Sequence, residues 1–119
     1  MSTRQILIVN AAVPFPMGRL VAHAAHAAVA GLLDKGTWKG STFSIDTAKY
    51  PELEYWVRES FTKVACKAWG KEELEEIAQE AALLEIPVSR IEEEGYLTAI
   101  SLGPSTDDLL DHFKYLPLL

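Results

Sequence analysis

The sequence predicts a single α/β domain in which helices cover a mostly parallel β-sheet. Three observations lead there. Gln5 to Val9 (QILIV) is, after its glutamine, a continuous apolar run rich in β-branched residues, the pattern of a strand buried on both faces. Strand-like and helix-like segments then alternate along the chain, which favours parallel strands joined by helical crossovers. Near the C-terminus two strand-like segments are separated by only Glu93, Glu94 and Gly95, the mark of a tight antiparallel hairpin.

The elements follow in order. After the first strand, residues 11–17 (AAVPFPM) carry two prolines and form a loop. Residues 18–34 are rich in alanine and leucine and read as a helix ended by Lys35-Gly36. This helix is apolar almost all round, so it is expected to be buried against the sheet. Residues 36–46 are loop-like, and 51–60 form a short helix with Pro51 in its first turn. Residues 61–68 make a second strand. The helix over 70–85 has Leu74, Ile77, Ala78, Ala81 and Leu84 at helical spacing, with glutamates on the outer face. Residues 86–92 and 96–102 are the hairpin strands, and Gly103-Pro104 ends the second of them. Ser105 is an N-cap for a last helix, with Asp107 and Asp108 in its first turn.

At 119 residues the chain is expected to be one domain, 1–119. A lone cysteine, Cys66, permits no internal disulfide and points to a reducing, cytoplasmic setting. The opening apolar run is too short to span a membrane. The formal charge of −6 argues against a broadly basic nucleic-acid-binding surface, although a local basic site is compatible with it.

In open α/β sheets ligands bind beyond the carboxyl ends of the strands. The loop from Asn10, the helix start at Gly18-Arg19 and the hairpin at Glu93 are expected to meet there. Arg19, His23 and His26 stand at i, i+4 and i+7 on one helix face. A metal pair of His23 and His26 is disfavoured, because helical zinc pairs use i and i+4 and no third ligand is recognisable. If Glu94-Gly95 is a two-residue turn, Glu93 pairs with Tyr96 and Ile91 with Thr98. Glu93, Tyr96 and Thr98 then project from one face. A carboxylate there can orient a histidine, which can activate water. No serine elbow, phosphate loop or dinucleotide fingerprint occurs, so no cofactor is indicated.

The opening QILIV, the MGRLVAHAAHAA helix, KVACKA, IPVSRIEEEG, TAISLGP and the closing DHFKYLPLL together resemble the archaeal and eukaryotic type of peptidyl-tRNA hydrolase, in order and over nearly the whole chain. The resemblance implies a three-layer α/β/α sandwich with a four-stranded mixed sheet, often dimeric, that cleaves the ester between a peptide and tRNA. It places the family's catalytic histidine on His26, its helix-start lysine on Arg19, its acid on Glu93 and a threonine on Thr98. The chain departs from the family in having no polar loop with a second threonine before Thr98, arginine for lysine, and glutamate for aspartate. The proline-containing stretch before the first helix and the LPLL ending resemble a bacterial branch of the superfamily.

The expected function is therefore ester hydrolysis through His26, Glu93 and Arg19. Asn10, Gly18, His23, Tyr96 and Thr98 would contact substrate, and peptidyl-tRNA is the candidate partner. The alternative is a non-catalytic module holding a small ligand or a protein in the same crevice. No metal and no membrane are involved in either reading, and a homodimer is expected.

Overall fold

The computed structural model describes residues 1–119. Four strands form one sheet in the order β4-β1-β6-β5, comprising β1 (Thr3–Asn10), β4 (Lys63–Ala68), β5 (Val88–Glu93) and β6 (Tyr96–Thr106). The pair β1–β4 is parallel, whereas β6 is antiparallel to both β1 and β5. Three strands thus run one way, and the returning hairpin strand is inserted between two of them rather than added at an edge. The sheet is mixed, as expected from a hairpin following helical crossovers.

Each face is covered by helix. On one face α3 (Lys71–Leu83) buries Leu74, Ile77, Ala78 and Ala81 against Ile6, Ile8, Ile100 and Leu102. Leu110 and Phe113, from the short helix α4 (Asp107–Leu110) and the 3-10 turn after it, complete this main core. On the other face α1 (Met17–Leu33) buries only His23, Ala27 and Gly31. Ala27 packs with Leu7 and Ala99 in a small second core.

The expectation that α1 is buried nearly all round is corrected here. Met17, Val21, Val29 and Leu33 are exposed, because the sheet covers one side of this helix and nothing covers the other. The side that is covered carries small residues, so the backbones approach closely. A Cβ at Gly31 would stand 2.9 Å from Ser101 Oγ and 2.5 Å from Gln5 Nε2. Gln5 is fully buried and donates to Ser101 Oγ and to the Ala28 carbonyl, which fastens the helix to the sheet.

The segment read as loop-like contains a small exposed hairpin, β2 (Thr37–Lys39) and β3 (Thr42–Ser44). Gly40 at its tip has φ +61, a conformation that favours glycine. The following helix α2 (Pro51–Tyr55) continues into a π turn over Trp56–Ser60. Trp56 there is fully buried, with its ring N–H donating to the Thr62 carbonyl at 2.7 Å.

Two further boundaries differ from the sequence expectation. Strand β6 does not stop at Gly103-Pro104 but runs to Thr106, where Thr106 and Ser105 pair with Thr3 and Arg4. Thr106 rather than Ser105 is therefore the N-cap residue of α4, and Asp107 and Asp108 do occupy its first turn. At the β4 edge of the sheet the LPLL tail pairs with β4. Lys67 N–H donates to the Pro117 carbonyl and Leu119 N–H to that of Ala65. An edge strand otherwise open to foreign pairing is thereby covered.

Candidate active site

The inserted strand decides where the site lies. Because β6 is reversed, its first residue, Tyr96, stands at the same edge as the last residues of β1, β4 and β5. That edge is the carboxyl end of three strands, and the N-terminus of α1 reaches it through the loop after Asn10. A crevice of about 370 Å³ opens there, lined by Val13, Arg19, Glu93, Glu94, Tyr96 and Thr98.

The hairpin turn is two residues long, with Glu94 at φ 52 and Gly95 at φ 78. Both positive values match the primed turn that such hairpins favour. Glu93 pairs with Tyr96, as the sequence implies. The next pairing does not follow the expected register. A bulge between Ile91 and Glu92 places Ile91 opposite Ala99, not Thr98. Its effect is visible in the packing. Leu97 and Ile100, three apart, both enter the main core, which strict alternation forbids. The bulge is what lets Leu97 face the core while Tyr96 and Thr98 both line the crevice. Thr98 Oγ1 donates to the Ile91 carbonyl at 3.2 Å across this irregularity.

Arg19 comes from the first turn of α1 and donates to Glu93 Oε2 at 2.8 Å. Its guanidinium also stacks over the Phe15 ring, 5.6 Å from the centroid. The side chains of Arg19 and Glu93 are 59% and 47% exposed, so their ion pair adds at most about 1 kcal/mol to stability. Such an exposed pair at a strand edge has little to do for the fold.

Of the two histidines, His23 and not His26 meets the carboxylate. His23 is 3% exposed, and its Nε2 lies 3.1 Å from Glu93 Oε2. Its Nδ1 is 2.9 Å from the Arg19 carbonyl one turn back. Phe15 covers it, with ring centroids 4.4 Å apart. His26 is exposed one turn further along, and its ring meets that of His23 edge-on at 5.7 Å. The expected pairing of Glu93 with His26 is corrected in favour of His23. Spacing alone puts i+4 and i+7 on one face, whereas the distance of the hairpin from the helix start selects the nearer one.

The remaining candidates divide. Asn10 is fully buried and does not line the crevice. Its amide donates to the Leu97 carbonyl at 3.0 Å, and its Oδ1 accepts from Ala12 N–H at 2.9 Å. It braces the loop and the bulged strand rather than facing a ligand. Gly18 is exposed with no atom within 4 Å of a notional Cβ, so its place in the first turn is open to solvent. Val13, Phe15 and Glu94 belong to the site although the sequence reading did not select them. The prolines flanking Phe15 and the unpaired turn residue Glu94 were the available signals.

Elsewhere, no group of three or more His, Cys, Asp and Glu side chains converges as a metal would require. Cys66 is 4% exposed, and burial pushes its thiol pKa up, with Arg4 opposing. A larger hollow, about 530 Å³, runs along the acidic face of α3 between Trp69 and Tyr115 and shares no residue with the crevice. No helix is long and apolar enough to cross a membrane.

Comparison with known proteins bears on this geometry. The family model described as peptidyl-tRNA hydrolase PTH2 matches residues 3–119. A relative named peptidyl-tRNA hydrolase from Sulfurisphaera tokodaii is 27% identical over 119 residues, spanning 93% of each chain. One of the same name from Saccharolobus islandicus is 24% identical over 116 residues, spanning 91% of each.

Proposed function

Because the chain belongs to the peptidyl-tRNA hydrolase PTH2 family, we propose that it hydrolyses the ester between a peptide and the terminal ribose of tRNA, in the Glu93 crevice. The observation that carries this reading is the convergence of Arg19, a buried His23 and Glu93 at the carboxyl edge of the sheet, where the Arg19–Glu93 pair is too exposed to be needed for folding.

Glu93 is the proposed base. Its Oε2 is engaged by Arg19 and approached by His23, and its other carboxylate oxygen would receive the attacking water. As that water attacks the ester carbonyl carbon, Glu93 takes its proton and later returns it to the departing ribose oxygen. The free acid and the tRNA hydroxyl are the products. Arg19 has guanidinium nitrogens beyond the one bonded to Glu93, and these offer charge to the carbonyl oxygen as it becomes anionic. His26, open to solvent on the same helix, and Gly18, at the helix start, would contact substrate above the crevice. Tyr96 and Thr98 line it and would contact the substrate as well.

Hydrolysis of peptidyl-tRNA at low salt by wild type, Glu93→Gln and His26→Ala tests the reading. Wild type turns over, and Glu93→Gln loses roughly 10²–10⁴-fold in rate. His26→Ala loses less, mainly in KM. No turnover by wild type, or a wild-type rate in Glu93→Gln, would overturn it. A second reading, a binding module without turnover, is favoured by one feature. The crevice presents two glutamates against a single arginine, a poor match for phosphate. Binding of substrate with no hydrolysis is its signature.

A homodimer through α1 is part of the proposal. The exposed residues Met17, Val21, Val29 and Leu33 form an apolar row along that helix, and sedimentation at micromolar concentration tests it. A cytoplasmic location fits the proposed substrate, and the single buried thiol of Cys66 would stay reduced there.

A further inference from the structure

We propose that His23 is a positioning residue for Glu93, holding the carboxylate only while a proton lies between His23 Nε2 and Glu93 Oε2. The argument begins with the other ring nitrogen. Nδ1 stands 2.9 Å from the carbonyl oxygen of Arg19. A carbonyl oxygen can only accept, so Nδ1 carries a hydrogen and donates it. A neutral ring then has no hydrogen on Nε2, and its lone pair faces Glu93 Oε2 at 3.1 Å. A lone pair against a carboxylate oxygen is repulsive. The contact becomes attractive when Nε2 gains a proton or when the carboxyl group supplies one.

Burial makes the choice consequential. Nε2 is shut off from solvent, lies off the line of a hydrogen bond and has no other partner. Phe15 closes one side of the ring, and His26 stands against it. The charged and titratable groups around the pair are Arg19 and His26 on α1, and Glu93, Glu94 and Tyr96 on the hairpin. Water cannot satisfy Nε2 without displacing Phe15 or Glu93, whereas the half-exposed Glu93 side chain can turn onto the ring axis.

The helix thus sets the tautomer by its own backbone, and the tautomer makes the hold on Glu93 proton-dependent. His23 has neither nitrogen free for substrate and acts through Glu93. The kinetic part of this inference rests on the hydrolase reading above, and the tautomer part does not.

Long-range proton–nitrogen NMR of wild type reads the tautomer directly. Whenever the His23 ring is neutral its hydrogen is expected on Nδ1, and an Nε2–H tautomer would overturn the inference whether or not the protein hydrolyses anything. In the hydrolysis assay, His23→Leu fills the same space without a donor. A kcat at least about tenfold lower at nearly unchanged KM is expected. His23→Gln, which returns an amide donor, recovers most of the rate. Wild type should also lose rate on the alkaline side, a limb that His23→Gln lacks. Wild-type kcat in His23→Leu would refute the positioning role and leave Glu93 as base. Absence of hydrolysis in wild type would instead refute the hydrolase reading, with the tautomer still deciding this one.

Discussion

Gly31→Ala places a single methyl where α1 meets the sheet, and its effect is decided by two opposing magnitudes. Alanine in a helix interior is favoured over glycine by about 1 kcal/mol. A Cβ at this position, however, would stand 2.5 Å from Gln5 Nε2 and 2.9 Å from Ser101 Oγ. Side-chain tips usually give way cheaply, but Gln5 is fully buried and donates to both the Ala28 carbonyl and Ser101. Moving it sacrifices a hydrogen bond, about 1 kcal/mol, on top of roughly 1–3 kcal/mol for overpacking. The net loss is about 1–3 kcal/mol. Urea denaturation reads this as a midpoint lower by about 1 M, for a slope of roughly 1–3 kcal/mol/M. Gly18→Ala is the internal control, because it lies on the same helix with nothing within 4 Å. It should be neutral or slightly stabilising. A Gly31→Ala midpoint equal to or above wild type would show that the Gln5 fastening is not what seats α1, and with it Arg19 and His23, on the sheet.

Asn10→Ala leaves the buried Leu97 carbonyl without its partner, at about 1–3 kcal/mol, and frees the N–H of the exposed Ala12 to water at little cost. It should lower both the urea midpoint and kcat, and an undisturbed midpoint would show that the loop is braced elsewhere. The Cys66 thiol is buried and its pKa raised by that burial, so alkylation in the native state is expected to be slower than in the unfolded chain by on the order of 10³ or more. Deleting residues 117–119, which pair with β4, should speed it markedly; an unchanged rate would mean that the tail does not protect this edge. Lys35 has its pKa lowered by burial, with Asp34 acting the other way. Between the folded and unfolded values the unfolded chain binds the extra proton, so this group makes stability rise with pH across that interval. The stability of Lys35→Met minus that of wild type should therefore fall as pH rises towards the ordinary lysine value of about 10.4, and a flat difference would contradict the burial of the ammonium.

Local pattern was enough for much of the fold. QILIV is a strand because its β-branched residues suit a sheet covered on both faces, and β1 is indeed buried from Gln5 to Asn10. The α3 periodicity and the Glu94-Gly95 turn are equally local, and both appear in the structure where their residues imply them. The small exposed hairpin at Thr37–Ser44 was missed because three-residue strands with no buried face carry no alternation to detect. The extension of β6 past Gly103-Pro104 was hidden for a different reason. Glycine and proline signal a break locally, and only pairing of Ser105 and Thr106 with β1 continues the strand.

For the site, residue type and helical spacing alone determined that Arg19, His23 and His26 share a face and that a glutamate waits at the hairpin. They do not determine which histidine the glutamate reaches. That was decided by long-range geometry: the insertion of β6 between β1 and β5, the bulge opposite Ile91, and the seating of α1 by Gln5. Periodicity specifies directions within one element, because backbone dihedrals repeat along it. The distance between two elements is set by the side chains packed between them, and here those are the small residues Ala27 and Gly31, lying far along the chain from the hairpin they bring into reach.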